Sequence, residues 1–153
     1  MTAESLLKLY EEHRGKVSDK WHFYLEEYDR ILSAYREEPV RILEIGVQNG
    51  GSLEIWAKYF PNAQVIVGCD NNPKCGELVF QDERISVVIG DINANETYEE
   101  LSAIIPEPSI IIDDGSHKSS DIIKTFARYF PLLQQGGEYI IEDLHCSYWQ
   151  DYE

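Results

Sequence analysis

Basic residues are scarce in this chain, which has 13 Lys and Arg against 28 Asp and Glu and a formal net charge of -15. The basic residues are scattered, so a phosphate backbone would meet repulsion over most of the surface. Cysteine is limited to three residues, at positions 69, 75 and 146. An odd number without framework spacing argues against a disulfide scaffold and favours a reducing, cytoplasmic compartment. We therefore expect a small-molecule ligand and no nucleic-acid partner.

Long apolar runs are also missing. No stretch approaches the roughly 20 apolar residues that a membrane-spanning helix requires. The first five residues lack the basic-then-apolar pattern of a secretion signal. The chain has 153 residues, 43% of them hydrophobic, which is enough for one domain with a substantial core. The sequence predicts a cytoplasmic globular protein with no membrane partner.

Residues 1–38 differ in pattern from the rest of the chain. They are polar, rich in aromatic residues and helical in their spacing. One apolar stripe covers residues 6–10 and a second covers residues 24–32, with Gly15 between them. We expect an N-terminal helical segment at residues 1–38, followed by a ligand-binding domain at residues 39–153.

From residue 40 onwards, short apolar runs alternate with helical patterns. Continuous apolar runs are typical of strands that are buried on both faces of a sheet. The predicted strands are residues 40–47, 64–69, 85–89, 110–112 and 139–141. The predicted helices between them are residues 52–59, 98–104 and 119–133. This order predicts an α/β fold with a Rossmann-like, doubly wound, mostly parallel sheet of about five strands.

An acidic residue lies within every predicted strand or one or two residues after it. These residues are Glu44, Asp70, Asp91, the pair Asp113 and Asp114, and the pair Glu142 and Asp143. Open α/β sheets bind ligands beyond the carboxyl ends of their strands, so these acids should meet at one crevice. Structural ion pairing would account for one or two of them but not for all, which points to a binding site.

A glycine-containing loop from Gly46 to Ser52 follows the first strand and opens a helix. Its glycines allow a tight turn and a close approach to a ligand, and the helix N-terminus favours an anionic group. The spacing departs from the GxGxxG pattern of dinucleotide sites, which weakens a nicotinamide dehydrogenase interpretation.

Asp70 is positioned to accept hydrogen bonds from a ribose. Asp91 either borders an adenine ring or caps the next helix.

Two consecutive acid pairs end the fourth and fifth strands. Three carboxylates in one pocket repel one another unless a cation neutralises them, and oxygen ligands suit Mg²⁺. The predicted metal ligands are Asp114, Glu142 and Asp143, with a supporting or capping role for Asp113 or Glu142 as the alternative. An ordinary pKa of about 6.5 suits His117 to general-base catalysis, although a histidine here also suits capping of the following helix.

Three short motifs resemble those of the class I S-adenosylmethionine-dependent methyltransferases: LEIG at residues 43–46, GCD at residues 68–70 and GD at residues 90–91. The resemblance implies that the glycine loop holds the methionine portion, Asp70 the ribose, and Asp91 with Ile92 the adenine. Ser52 resembles the serine that meets the methionine carboxylate in catechol O-methyltransferase-like enzymes. The predicted cofactor residues are Glu44, Gly46, Gly50, Ser52, Asp70, Asn71, Asp91, Ile92 and Asp113.

The second half of the chain resembles the Mg²⁺-dependent sugar O-methyltransferases of the macrocin type, together with cephalosporin hydroxylase-like proteins. The matching sequences are SDKWH at residues 18–22, DDGSH at 113–117, FPLLQQGG at 130–137 and IEDLHCSYW at 141–149. The resemblance implies that Asp114, Glu142 and Asp143 bind Mg²⁺. It further implies that His117 is the catalytic base and acts together with Asp114.

Two features depart from that family. Asp121 stands where many relatives have a second histidine, and the sequence ends at Glu153, after five strands of a fold that normally has seven. We therefore expect a truncated class I fold, with its fifth strand covered by further chain or by a second copy in a homo-oligomer. The expected function is O-methylation of a sugar or natural-product hydroxyl. The alternative is a catalytically incomplete S-adenosylmethionine-binding or regulatory module of a larger protein.

Overall fold

Five parallel strands form one sheet in the order β3-β2-β1-β4-β5. The computed structural model describes residues 4–152. Residues 1–3 of the predicted N-terminal segment and residue 153 of the predicted ligand-binding domain lie outside the described residues. The strands are β1 (Arg41–Ile45), β2 (Val65–Asp70), β3 (Ile85–Ile89), β4 (Ile110–Asp113) and β5 (Glu138–Ile141). Chain order reverses at β1, so the carboxyl ends of β1 and β4 flank the switch point where such sheets bind ligands. The predicted Rossmann-like doubly wound sheet is confirmed.

The helices follow the predicted pattern, but the helix predicted at residues 98–104 begins at Asn95 and the last helix ends earlier than predicted. They are α1 (Leu6–Glu12), α2 (His22–Leu32), α3 (Gly51–Tyr59), α4 (Asn95–Ile104) and α5 (Ser119–Tyr129). Short 3₁₀ helices lie at Ser33–Tyr35, Pro73–Glu77, Phe130–Leu132, Leu144–Tyr148 and Gln150–Tyr152. The prediction that the last helix runs to residue 133 is wrong, because Pro131 lacks a backbone N–H and disfavours α-helical geometry before it. Among residues 4–152, no helix is both long and apolar enough to cross a membrane.

Side chains of the central strand β1 alternate between two apolar layers. Ile42 packs in the layer formed with α1, α2 and α3, whereas Leu43 packs in the layer formed with α4 and α5. Fully buried members of these layers include Leu6, Leu25 and Trp56 on the first side and Leu101 and Tyr129 on the second. Burial of each such side chain contributes about 1.5–3 kcal/mol. The same alternation directs Glu44 towards the α1–α3 side.

The polypeptide between α1 and α2 runs across the carboxyl edge of the sheet. We call residues 16–20 the crossing segment. The N–H of Gly51 donates a hydrogen bond to the carbonyl of Val17 at 3.2 Å. The Tyr10 hydroxyl accepts a hydrogen bond from the N–H of Lys20 at 3.0 Å. These contacts join the N-terminal helices to the edge of the sheet where the strands end.

Candidate active site

A pocket with a volume of about 1050 Å³ opens at the carboxyl edge of the sheet. Its wall includes one residue at the end of each strand, namely Ile45, Asp70, Gly90, Asp113 and Glu142, together with most of the crossing segment. The volume matches that of small-molecule sites, which are concave and lie at topological switch points. Asp91, next to Gly90, also lines the pocket, so acids from four of the five strand ends lie at one crevice.

The loop after β1 depends on glycine at two positions. Gly46 has a φ of +91°, and a β-carbon there would lie 2.1 Å from the carbonyl oxygen of Asp114. Gly50 has a φ of +80° and directly precedes α3, and a β-carbon there would lie 2.8 Å from the Phe80 ring. Gly46 lines the pocket, whereas Gly50 does not. Gly50 forms the turn before α3, and its contact with the cofactor stays a prediction.

Glu44 also lies behind the wall, at 0% exposure. Its Oε2 accepts a hydrogen bond of 2.7 Å from the hydroxyl of Ser52, a residue that does line the pocket. The alternation of β1 turns Glu44 towards α3, where its carboxylate contacts protein groups. Its contact with the cofactor stays a prediction. Burial raises the pKa of Glu44, against the opposing effects of the Lys20 charge and the Ser52 hydroxyl.

Asp70, at the end of β2, binds the backbone of neighbouring loops. Its Oδ2 accepts hydrogen bonds from the N–H groups of Val47 at 2.8 Å and Gln48 at 3.2 Å. Its Oδ1 accepts one from the N–H of Asn72 at 2.8 Å. Burial alone would raise the pKa of Asp70, but these three donors outweigh it and lower the pKa. Asp70 and its neighbour Asn71 line the pocket, and Asp70 holds the glycine loop in place.

Asp91 follows β3 and forms a local turn on the pocket wall. Its Oδ1 accepts a hydrogen bond from the N–H of Asn93 at 2.9 Å. The N-cap of α4 is Ala94, so the alternative in which Asp91 caps that helix is wrong. The adjacent Ile92 also lines the pocket, and its carbonyl accepts a hydrogen bond from the Tyr129 hydroxyl at 2.9 Å.

Asp113 places an unpaired polar atom beside the pocket. The residue is only 4% exposed, and its Oδ2 has no hydrogen-bond partner among residues 4–152. Its Oδ1 accepts a hydrogen bond of 3.3 Å from the N–H of Gly115. Burial raises the pKa of Asp113 to about 6. A buried acceptor of this kind is costly unless a ligand donates to it.

Asp114, His117 and Asp143 form a cluster at the switch point. His117 Nε2 lies 3.8 Å from Asp114 Oδ1 and 3.9 Å from Asp143 Oδ2. One donor atom from each of the three residues lies within 4.8 Å of the other two. His117 and Asp143 adopt left-handed backbone conformations, with φ of +57° and +55°. Such conformations in residues other than glycine concentrate at functional sites.

Glu142, the third predicted metal ligand, contacts two groups of the N-terminal segment. Its Oε1 lies 2.6 Å from the Lys20 ammonium and accepts a short hydrogen bond from the Tyr28 hydroxyl. The residue is 5% exposed, and burial raises its pKa against the effect of the Lys20 charge. Among residues 4–152, the metal-type cluster therefore contains His117 in place of Glu142.

Three groups of the N-terminal segment, Lys20, Tyr24 and Tyr28, reach the acids and were not predicted as site residues. Lys20 contacts Glu142, and the Tyr24 hydroxyl donates a hydrogen bond of 2.9 Å to Asp143 Oδ1. The resemblance of SDKWH at residues 18–22 to a family segment was the available signal. That signal gave no role to Lys20, because two of its ion-pair partners, Asp114 and Glu142, lie 94 and 122 residues further along the chain.

Asp121, at the position where related proteins were expected to have a second histidine, also lines the pocket. Its Oδ2 accepts a hydrogen bond of 2.9 Å from the Ser116 hydroxyl. This contact links the start of α5 to the loop after β4. At this position, the chain contributes a further carboxylate instead of an imidazole.

Comparison with known proteins gives related methyltransferases, although no protein-family model matches. The chain is 38% identical over 143 residues to demethylmacrocin O-methyltransferase of Streptomyces fradiae, covering 87% of this chain and 35% of that protein. It is 35% identical over 150 residues to L-olivosyl-oleandolide 3-O-methyltransferase of Streptomyces antibioticus, covering 88% and 36%. The solved MycE methyltransferase from the mycinamycin biosynthetic pathway, in complex with Mg, SAH and mycinamycin VI, has a TM-score of 0.80 and 32% identity, covering 99% of this chain and 42% of that chain.

The chain spans about a third of the length of the curated relatives it matches. Within that span, the likeness covers most of the residues of this chain and includes both the sequence and the fold. The last residues of the motifs at the ends of β1, β2 and β3 and the acids at the ends of β4 and β5 lie on one pocket wall. In sequence and fold the chain is similar to a part of the macrocin-type O-methyltransferases, and this likeness supports a class I S-adenosylmethionine-dependent methyltransferase fold.

Proposed function

We propose that this chain carries the cofactor site and the catalytic groups of an S-adenosylmethionine-dependent O-methyltransferase. The proposed acceptor is a hydroxyl of a sugar or a related natural-product group. The observation that carries the proposal is the direct packing of Gly46 against Asp114, which joins the glycine loop to the acid and histidine cluster. The names of the relatives, which are O-methyltransferases of glycosylated natural products, support the choice of acceptor.

The proposed cofactor, S-adenosylmethionine, would lie along the ends of β1, β2 and β3. The N-terminus of α3 favours the carboxylate of the cofactor, because a helix N-terminus attracts an anionic group. Its ribose would lie near Asp70 and Asn71, and its adenine near Asp91 and Ile92, all of which line the pocket. The unpaired Oδ2 of Asp113 suits a hydrogen bond from the amino group of the cofactor.

The donor groups present fit a divalent cation. Carboxylate oxygens of Asp114 and Asp143 lie close together on the pocket wall, and hard ions such as Mg²⁺ prefer oxygen ligands. We infer that these two residues would hold the ion, and that Glu142 would join them by turning away from Lys20. When bound, Mg²⁺ would lower the pKa of the acceptor hydroxyl and orient its oxygen.

His117 is the proposed base. Its Nε2 faces both carboxylates of the cluster and would accept the proton of the acceptor hydroxyl. The acceptor oxygen then bonds to the methyl carbon while the carbon–sulfur bond breaks. The sulfur keeps that electron pair and S-adenosylhomocysteine forms. Because the sulfonium is already a good leaving group, the rate depends mainly on how well the oxygen and the methyl group are aligned.

Methyl transfer to mycinamycin VI, used as the probe acceptor, tests the proposal. The chain would be incubated with S-adenosylmethionine and Mg²⁺, and release of S-adenosylhomocysteine would be followed with and without the acceptor. We expect release that requires both the acceptor and Mg²⁺. If the chain binds S-adenosylhomocysteine but releases none from S-adenosylmethionine, it is a binding module and the enzymatic proposal is overturned.

A further inference from the structure

Lys20 places a buried ammonium among the carboxylates of the pocket. Its side chain is 4% exposed, and its Nζ lies 2.6 Å from Glu142 Oε1, 3.0 Å from Asp114 Oδ2 and 3.3 Å from Glu44 Oε1. The ammonium donates hydrogen bonds to Glu142 and Asp114 at the first two of these distances. Two of these three partners, Glu142 and Asp114, are residues that the sequence predicted as metal ligands.

The backbone of Lys20 is held in place at the sheet edge. Its N–H donates to the hydroxyl of Tyr10 at 3.0 Å, and that hydroxyl donates to the carbonyl of Ser18 at 2.5 Å. Three residues earlier, the carbonyl of Val17 accepts a hydrogen bond from Gly51 at the start of α3. The fold therefore fixes where the ammonium enters the pocket, unlike a lysine on a free surface.

The oxygens of Asp114 are divided between two partners. Oδ2 faces Lys20 at 3.0 Å, while Oδ1 faces His117 Nε2 at 3.8 Å on the side of Asp143. An ion held by Asp114 and Asp143 would thus lie next to the ammonium. The two positive charges would share one carboxylate and would repel each other in a poorly solvated site.

The charge balance explains why an ammonium is needed there. Glu44, Asp114 and Glu142 lie around the same point, and Lys20 pairs with all three of them. Buried carboxylates are strongly destabilising unless a positive charge or hydrogen-bond donors compensate them. Without a divalent ion, Lys20 supplies that compensation.

We propose that Lys20 is a resident counter-ion, which occupies oxygens of Asp114 and Glu142 in the ion-free protein and competes with the divalent cation for them. This inference rests on the proposed function, since it concerns the same Mg²⁺ site. Lys20 therefore has two opposite effects. It stabilises the ion-free fold, and it lowers the affinity of the site for Mg²⁺.

The test is a Mg²⁺ titration of thermal unfolding, begun in EDTA-treated buffer, for the wild type and Lys20→Met. Removal of the ammonium should lower the melting temperature of the ion-free protein by several degrees. Added Mg²⁺ should then raise the melting temperature of K20M more than that of the wild type. The Mg²⁺ concentration that gives half of the observed rise in melting temperature should be lower in K20M by roughly tenfold or more.

Lys16→Met is the matched control. Lys16 lies in the same crossing segment and pairs with a carboxylate, Glu54 Oε1, at 3.2 Å, but it does not line the pocket. Its Mg²⁺ response should equal that of the wild type. Lys20→Arg, which keeps the positive charge, should stay within about threefold of the wild type, because the competing charge remains.

The outcomes separate the inference from the proposed function. If Mg²⁺ does not stabilise the wild type, the proposed metal site fails. If Mg²⁺ stabilises the wild type but acts on K20M at no lower concentration, the counter-ion role is overturned while the metal site stands. The same conclusion follows if K20R behaves like K20M. Should K20M not fold, Lys20→Gln gives the same comparison, because it keeps hydrogen-bond donors and removes the charge.

Discussion

The carbonyl oxygen of Asp114 lies 2.1 Å from the point where a β-carbon on Gly46 would be. The backbone N–H of Asp114 also donates to the carbonyl of Ile45 at 2.9 Å. The end of β1 and the end of β4 are thus packed backbone against backbone. Because the cofactor-type loop begins at one residue and the acid and histidine cluster at the other, a change at this contact should affect both.

Gly46→Ala should therefore destabilise the fold and reduce the affinity for S-adenosylhomocysteine by more than tenfold. Gly136→Ala is its control, because Gly136 also has a positive φ, +79°, but nothing lies within 4 Å of an added β-carbon. The left-handed backbone alone should cost G136A about 1–2 kcal/mol. Urea unfolding and calorimetry compare the two. Equal losses of stability and of affinity would show that the contact with Asp114 has no special role.

His117→Asn should reduce turnover of the probe acceptor by about 10²- to 10⁴-fold, as expected for loss of a general base. Asparagine suits this test because it tolerates the left-handed backbone that His117 adopts at a φ of +57°. The affinity for S-adenosylhomocysteine should stay within about twofold of the wild type, since His117 is not among the proposed cofactor residues. Full turnover in H117N would remove His117 from the mechanism.

Asp70→Asn should loosen the glycine loop, because the three backbone donors that bind the carboxylate would then face a neutral and partly donating amide. The expected loss of stability is about 1–3 kcal/mol at neutral pH. Asp91→Asn, whose carboxylate accepts one local backbone bond, should lose less. Denaturant unfolding measures both. Equal losses would contradict the loop-holding role of Asp70.

The pH dependence of that loss gives a second measurement. The folded pKa of Asp70 is lowered from its ordinary value of 3.8. The stability from its ionised form is therefore present above pH 3.8 and is lost as the pH falls through the folded pKa. The stability gap between the wild type and D70N should be constant from pH 7 to pH 5 and should close below pH 4. A gap that persists at low pH would point to a cause other than the charge.

Ser52→Ala tests whether the Ser52 hydroxyl stabilises the fold or contacts the cofactor directly. Its bond to buried Glu44 at 2.7 Å predicts a stability loss of about 1–3 kcal/mol. Ser116→Ala is the control, since Ser116 donates to Asp121 at an exposed position and should change stability by less than about 0.5 kcal/mol. Differential scanning calorimetry compares them. A large loss of cofactor affinity in S52A without a loss of stability would instead support the direct cofactor contact that the sequence predicts.

Sequence periodicity predicted the sheet and the helices well, because buried parallel strands and amphipathic helices leave different apolar spacings. β3 matches its predicted bounds at residues 85–89. The end of α5 was placed too late, since the apolar pattern continues through the Pro131 turn after the helix has stopped at Tyr129. The convergence of acids on one crevice was also predictable, because parallel strands end at the same edge.

The partners of those acids were not predictable from local pattern. Glu142 and Asp143 are adjacent in sequence, yet one contacts Lys20 and Tyr28 and the other contacts His117 and Tyr24. These contacts depend on how the N-terminal helices pack across the sheet edge. The sequence predicts which groups carry charge, whereas tertiary packing decides which of them pair.

Calorimetric titration of the chain with S-adenosylhomocysteine, with NAD titrated in parallel, tests the central claim most directly. The claim is that the pocket at the carboxyl edge of the sheet binds S-adenosylmethionine. One-to-one binding of S-adenosylhomocysteine that is weakened at least tenfold by Gly46→Ala, with no measurable binding of NAD, is the predicted result. Absence of S-adenosylhomocysteine binding by the folded chain, or equal binding of NAD, would contradict the account.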